Sequence, residues 1–239
     1  MSNSKLKIIA CVTMLIDHIG YILLPEAYFL RWIGRIAMPI FAFLIGEGCR
    51  YTKNRWRYFL QVFLLGIFSQ FIFLIDDYLS GGVEEIHFNI LITFTFSIVI
   101  CYIFLDFKEA YKSGDNNKTV RFGILLIAAV LASYAFLRFA DNVIGMPVSV
   151  DYGIRGILIP MFAIVFTDKK KRVALFAIVL TGFLILANKG IITIVFTSIS
   201  YLILLFYNGT YGSKKLKYLF YIFYPAHLII LYSIKYLIN

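Results

Sequence analysis

Apolar runs about twenty residues long recur along almost the whole chain, near 6–24, 28–49, 57–75, 88–105, 121–138, 147–167, 172–188, 190–207 and 217–237. Wound as an α-helix, a run of that length covers the roughly 30 Å hydrocarbon core of a bilayer. Composition agrees: 61% of the residues are hydrophobic and 15% charged, where soluble domains hold roughly 45–50% apolar residues. The chain reads as an all-α polytopic membrane protein, a bundle of about nine transmembrane helices forming one domain over residues 1–239. Two places leave eight or ten spans open. The window 147–167 begins in the polar stretch MPVSVDYGIRG, and the spans that meet at Asn188–Gly190 share a very tight turn.

Charge sets an orientation. With a cytoplasmic N-terminus, Lys5, Lys7, Arg50, Lys53, Arg55, Arg57, Lys108, Lys112, Lys118, Arg121, the run Lys169–Arg172, Lys214, Lys215 and Lys217 fall on inner segments. Of the 23 basic residues only Arg31, Arg35, Arg138, Arg155, Lys189 and Lys235 fall outside. That excess on one side is the positive-inside pattern, and it predicts an external C-terminus. It also accounts for the formal charge of +10, together with attraction to anionic lipid, so the expected partner is the bilayer and not nucleic acid. The first run lacks a small-residue cleavage site and is expected to stay as a helix. Cys11, Cys49 and Cys101 form no CxxC pair, so neither a disulfide framework nor a metal site is expected. The longest polar linker, Asp106–Lys118, is too short for a soluble domain. No internal repeat is visible, which weighs against a transporter built from two halves.

The first two runs carry Asp17, His18, Arg35 and Glu47 at depths where charge is costly, and such residues mark function or a specific pairing. Asp17 and His18 are consecutive and point about 100° apart on a helix. An imidazole oriented by a carboxylate is what general-base catalysis needs. Both residues could equally be hydrogen-bonding neighbouring helices. In the second run Arg35, Pro39, Ala42, Gly46 and Cys49 follow at steps of three and four, a stripe of mostly small residues that permits close packing. Pro39 lacks an N–H and clashes with the carbonyl four residues earlier, so a kink is expected at Arg35. A buried Arg35–Asp17 ion pair is the structural alternative. Glu47 sits three residues before Arg50, the spacing of a local ion pair.

Further along, DYGIRG brings Asp151 and Arg155 together with two glycines, the pattern of irregular backbone lining a cavity. Ser69, Gln70 and Asn89 lie near span ends, where they can bond a substrate or tie helices together. In the last run Tyr224 and His227 are one turn apart, and Pro225 frees the carbonyl of Tyr221.

The motifs MLIDH, GRIAMPIFAFLIGEG followed by TKNRWRY, and FYIFYPAHL occur in that order and resemble the TraX family across most of the chain. That family is named for a conjugation protein associated with N-terminal acetylation of pilin, and it is grouped with transmembrane acyltransferases that use acetyl-CoA. The resemblance implies an acetyl group taken from acetyl-CoA and delivered to an unidentified amine or hydroxyl acceptor. It implies a catalytic histidine near the start of the chain, here His18, with Asp17, Gly34, Arg35, Pro39, Tyr224, Pro225 and His227 as further motif matches.

On this reading His18, Asp17 and Arg35 are the catalytic candidates. Tyr224, His227, Arg155, Asp151, Asn89, Arg50 and Arg55 are the candidates for binding substrate or coenzyme A, with no metal. The expected location is a bacterial cytoplasmic membrane, and the sequence leaves homo-oligomerisation open. The competing class is a proton-coupled transporter or flippase, whose relay would use the same Asp, His and Arg side chains.

Overall fold

The computed structural model describes residues 1–210, 212–213 and 216–238, without the side chains of 216–220, so Lys214, Lys215 and the Lys217 side chain lie outside the described residues. Among them are ten α-helices and two short strands. Five helices are long and apolar enough to cross a membrane: Tyr28–Tyr51 taken through its break, Arg55–Leu79, Ile90–Ser113, Asn116–Ile144 and Tyr221–Ile238. Large apolar side chains are exposed along them, including Leu64, Phe68, Phe71, Ile75, Ile124, Ile127, Leu131 and Phe139. Water would penalise such surface and lipid does not, so this is an all-α membrane protein.

The chain divides into two compact units. The first joins Met1–Leu44 to Asp168–Asn239. Its α1 (Asn3–Ile22) packs against α2 (Tyr28–Gly34) and α10 (Leu216–Ile238), and α8 (Lys169–Leu186) against α9 (Ile191–Leu205). Pro25 follows the end of α1 by three residues, where a helix cannot continue. The expected break at Arg35 is present: α2 stops at Gly34, Arg35 caps it, and α3 (Ala37–Tyr51) begins two residues later. Pro39 then sits in the first turn of α3, where its missing N–H costs nothing. The apolar core of this unit includes Phe43 edge-on to Phe176 at 5.6 Å and to Tyr207 at 6.2 Å.

The second unit is Ile45–Thr167. Its helices α4 (Arg55–Leu79), α5 (Ile90–Ser113) and α6 (Asn116–Ile144) each start on a side-chain cap, from Asn54, Asn89 and Asp115. Helix α5 packs on α4, α6 and α7 (Gly153–Phe162). Gly46 of α3 is required where it stands, because a Cβ there would meet the Pro160 carbonyl oxygen of α7 at 2.7 Å. The small-residue stripe thus does bring helices close.

One expectation needs correction. The window 147–167 contains only the ten residues of α7 as helix, about 15 Å of length and half a bilayer core. Its first part is instead β2 (Val148–Val150), which pairs in parallel with β1 (Ile86–Phe88). Every other predicted run holds a helix, although α1 and α8 carry lysines in their first turns and α9 is only 15 residues long.

Candidate functional site

The polar centre of the first unit is built by α1, α2 and α10. His18 and His227 meet there, 209 residues apart in sequence, with His227 Nε2 3.2 Å from His18 Nδ1 and the rings edge-on at 4.9 Å. Each ring is also tied to its own helix. His18 Nδ1 lies 3.0 Å from the Met14 carbonyl and His227 Nδ1 lies 2.8 Å from that of Phe223. A carbonyl only accepts, so both Nδ1 atoms carry the proton. The single Nδ1–H of His18 is thus shared between the Met14 carbonyl and His227 Nε2, and in the uncharged ring the lone pair lies on Nε2. Phe223 stacks on the His227 ring at 5.0 Å, and the buried Tyr224 ring stands edge-on to it at 5.6 Å.

Asp17 takes a different partner from the one expected. Its carboxylate forms a salt bridge with Arg31, whose guanidinium also donates to the Asp17 carbonyl at 3.2 Å and lies 4.9 Å above the Tyr21 ring. Arg31 is one turn before Arg35, and the break after Gly34 leaves it on the regular part of α2. Gly34 makes the approach of α1 and α2 feasible, since any Cβ there would overlap the Asp17 carboxylate. Arg35 is half-buried and makes no ion pair among the described residues. Met14 and His227 supply hydrogen bonds that orient His18. A sequence signal for Arg31 existed in its spacing of four from Arg35, on the same helix face.

The other candidates belong to the second unit and are already engaged there. Asn89 is buried and caps α5, its Oδ1 accepting from the Leu91 and Ile92 N–H groups and its Nδ2 donating to the Gly66 carbonyl and Gln70 Oε1. These bonds tie α4 to α5, the second of the two roles the sequence offers for it. Arg50 pairs with the buried Glu47 at 3.6 Å, the local ion pair the spacing allows. Arg55 pairs with Asp106 at 2.7 Å and lies over Tyr102. Asp151 binds His87, and Arg155 is exposed on α7. His87, the outward residue of the three-residue strand β1, has no counterpart among the sequence-based candidates. Among the described residues no three His, Cys, Asp or Glu side chains converge as metal ligands would.

Membrane helices that bring a partly buried pair of histidines together beside an Asp–Arg bridge define a polytopic membrane protein with a polar centre. The model of the TraX protein family matches residues 2–235, and the chain belongs to the TraX family. Two relatives are similar. One is the probable fimbrial assembly protein FimC, serogroup H1, of Dichelobacter nodosus, 24% identical over 98% of this chain and 96% of the relative. The other is the uncharacterized protein RP591 of Rickettsia prowazekii, 34% identical over 54% of this chain and 53% of the relative. No solved structure matches the chain.

Proposed function

We propose that this protein is an acyltransferase of a bacterial cytoplasmic membrane, moving an acetyl group from acetyl-CoA to an amine or hydroxyl of a peptide N-terminus, a surface glycan or a lipid. The observation that carries the reading is the contact of His18 with His227, in which the Met14 carbonyl keeps the His18 proton on Nδ1 and so puts the lone pair on Nε2. The acceptor nitrogen or oxygen attacks the thioester carbonyl carbon as its proton passes to His18 Nε2. The C–S bond then breaks, and that proton leaves with the coenzyme A thiolate. The Met14 carbonyl and His227 Nε2 share the Nδ1–H of His18 and so favour the imidazolium that forms, while Tyr224 and Phe223 hold the His227 ring. Arg35 is the cation this reading assigns to the oxyanion or to a coenzyme A phosphate. Arg50 and Arg55 would have to release Glu47 and Asp106 before either could take a phosphate. The description of the Dichelobacter relative supports an exported fimbrial subunit as one acceptor class.

The reading keeps the N-terminus cytoplasmic, with the basic openings of α4 and α8 on the inner face. The test is acetyl transfer or hydrolysis by the purified protein in nanodiscs with radiolabelled acetyl-CoA. His18→Ala is expected to lose about 10²–10⁴-fold in turnover, and His227→Ala less. Unimpaired turnover in His18→Ala overturns the assignment. A contact between two imidazoles also suits proton transfer through a transporter, the competing class. Substrate-dependent proton flux in proteoliposomes without acyl-CoA turnover would favour it.

A further inference from the structure

The second unit carries a separate cluster of reactive side chains outside the membrane-spanning helices. In the parallel pair β1–β2, His87 stands directly opposite Ser149, and Asp151 follows two residues later on the same face. The register alone therefore sets the imidazole between a hydroxyl and a carboxylate. Ser149 Oγ lies 2.6 Å from His87 Nδ1, and Asp151 Oδ1 lies 3.1 Å from His87 Nε2. Phe88 and Val150 alternate to the opposite face and pack into a core with Ile100 and Ile157. The polar face stays open, with the His87 side chain 51% exposed. Asp151 is held rigidly: its N–H bonds the Phe88 carbonyl at 3.1 Å and its carbonyl accepts from the Thr93 hydroxyl at 3.1 Å. The next residue, Tyr152, has φ of 61°, a left-handed conformation that costs energy in a non-glycine residue. Strain of this kind persists where surrounding structure enforces it.

We infer that Ser149, His87 and Asp151 form a nucleophilic relay that accepts an acyl group from an ester or thioester on the serine. The Ser149 Oγ–H donates to His87 Nδ1, and the His87 Nε2–H donates to Asp151, so serine and carboxylate occupy the two ring nitrogens, each on the nitrogen opposite to the one it takes in the serine-protease triad. Ser149 Oγ attacks the acyl carbonyl carbon while its proton moves to His87 Nδ1. The carbon–oxygen or carbon–sulfur bond to the leaving group breaks, and the departing alcohol or thiol takes that proton. Water or an acceptor hydroxyl then attacks the acyl-serine, gives its proton to His87, and Ser149 leaves reprotonated. Ser149 and His87 are the catalytic residues of this centre and Asp151 a positioning residue. The bond to Asp151 is also the largest influence holding the His87 pKa above its ordinary value, with Glu85 and Asp77 adding to it.

The test is a fluorophosphonate probe on the intact protein in detergent or nanodiscs, with the labelled peptide located by mass spectrometry. Labelling at Ser149 is expected, falling by about 10²-fold or more in His87→Ala. In Asp151→Asn the rate should fall, and its rise with pH should move to lower pH, because the base loses the carboxylate that raises its pKa. A mere strand fastener would give no such shift. Wild-type protein that is folded and unlabelled, that labels at another serine, or whose labelling His87→Ala leaves unchanged overturns the inference. All of these readouts are taken at Ser149 without acetyl-CoA, so they stand or fall separately from the role proposed for His18.

Discussion

Replacing Asn89 by alanine is expected to loosen the junction of α4 and α5 by about 3 kcal/mol. The side chain is 3% exposed and uses every polar group it has. Its Oδ1 accepts from Leu91 N–H at 3.0 Å and Ile92 N–H at 3.4 Å, and its Nδ2 reaches the Gly66 carbonyl at 2.9 Å and Gln70 Oε1 at 3.0 Å. Loss of the cap costs about 1 kcal/mol, and each buried hydrogen bond from Nδ2 contributes roughly 1 kcal/mol more. Asn89→Ser keeps a capping oxygen and loses only the Nδ2 bonds, so it should recover about 1 kcal/mol. The protein supplies its own reporter, since Cys11, Cys49 and Cys101 are free and buried. A thiol-reactive fluorogenic dye will therefore report unfolding in detergent. At about 2–4 °C per kcal/mol for a chain of this size, the midpoint of Asn89→Ala should fall by roughly 6–12 °C, with Asn89→Ser between it and wild type. An unchanged midpoint combined with weakened acyl-CoA binding would refute the reasoning, because Asn89 would then be a ligand contact and not a cap.

Two other perturbations address the ion pairs. Arg31→Ala leaves the Asp17 carboxylate mostly buried without its guanidinium, and should lower stability by about 3 kcal/mol. The double variant Asp17→Asn with Arg31→Gln should recover most of that loss in the same dye assay, whereas additive losses would show that the pair is not coupled. For His87 the folded pKa is raised above the unfolded value, chiefly by the bond to Asp151. The resulting stabilisation is complete below the ordinary histidine value and fades as the pH rises through the folded one. Because the group is half exposed, the gain should stay below about 1 kcal/mol. The midpoint difference between wild type and His87→Gln should thus be larger at acid pH than at alkaline pH, and the reverse order would contradict the assignment.

Apolar length was legible because it is a local property: a run of twenty such residues needs no knowledge of its neighbours to become a helix. The window 147–167 misled because its apolar residues belong to two elements, a three-residue strand and a ten-residue helix. Alternation over three residues is too short to announce a period, so β1 and β2, and with them His87 and Ser149, had no signal of comparable strength. Pro39 did predict the break at Arg35, yet the break itself decides which arginine Asp17 meets. Before it the helix face belongs to Arg31, and spacing along an uninterrupted helix could not distinguish the two.

The histidine pair shows how far such reasoning can extend. A polar group within a membrane span needs a partner, so a sequence announces the need well before a fold selects who meets it. The chain has three histidines, and His87 lies beside Glu84 and Glu85 in a segment too polar to enter the bilayer. That left His227 as the one imidazole within an apolar run that could meet His18. What local rules cannot supply is the direction of the bond. The carbonyls of Met14 and Phe223 supply it, by claiming the two Nδ1 protons and turning the His18 lone pair to Nε2.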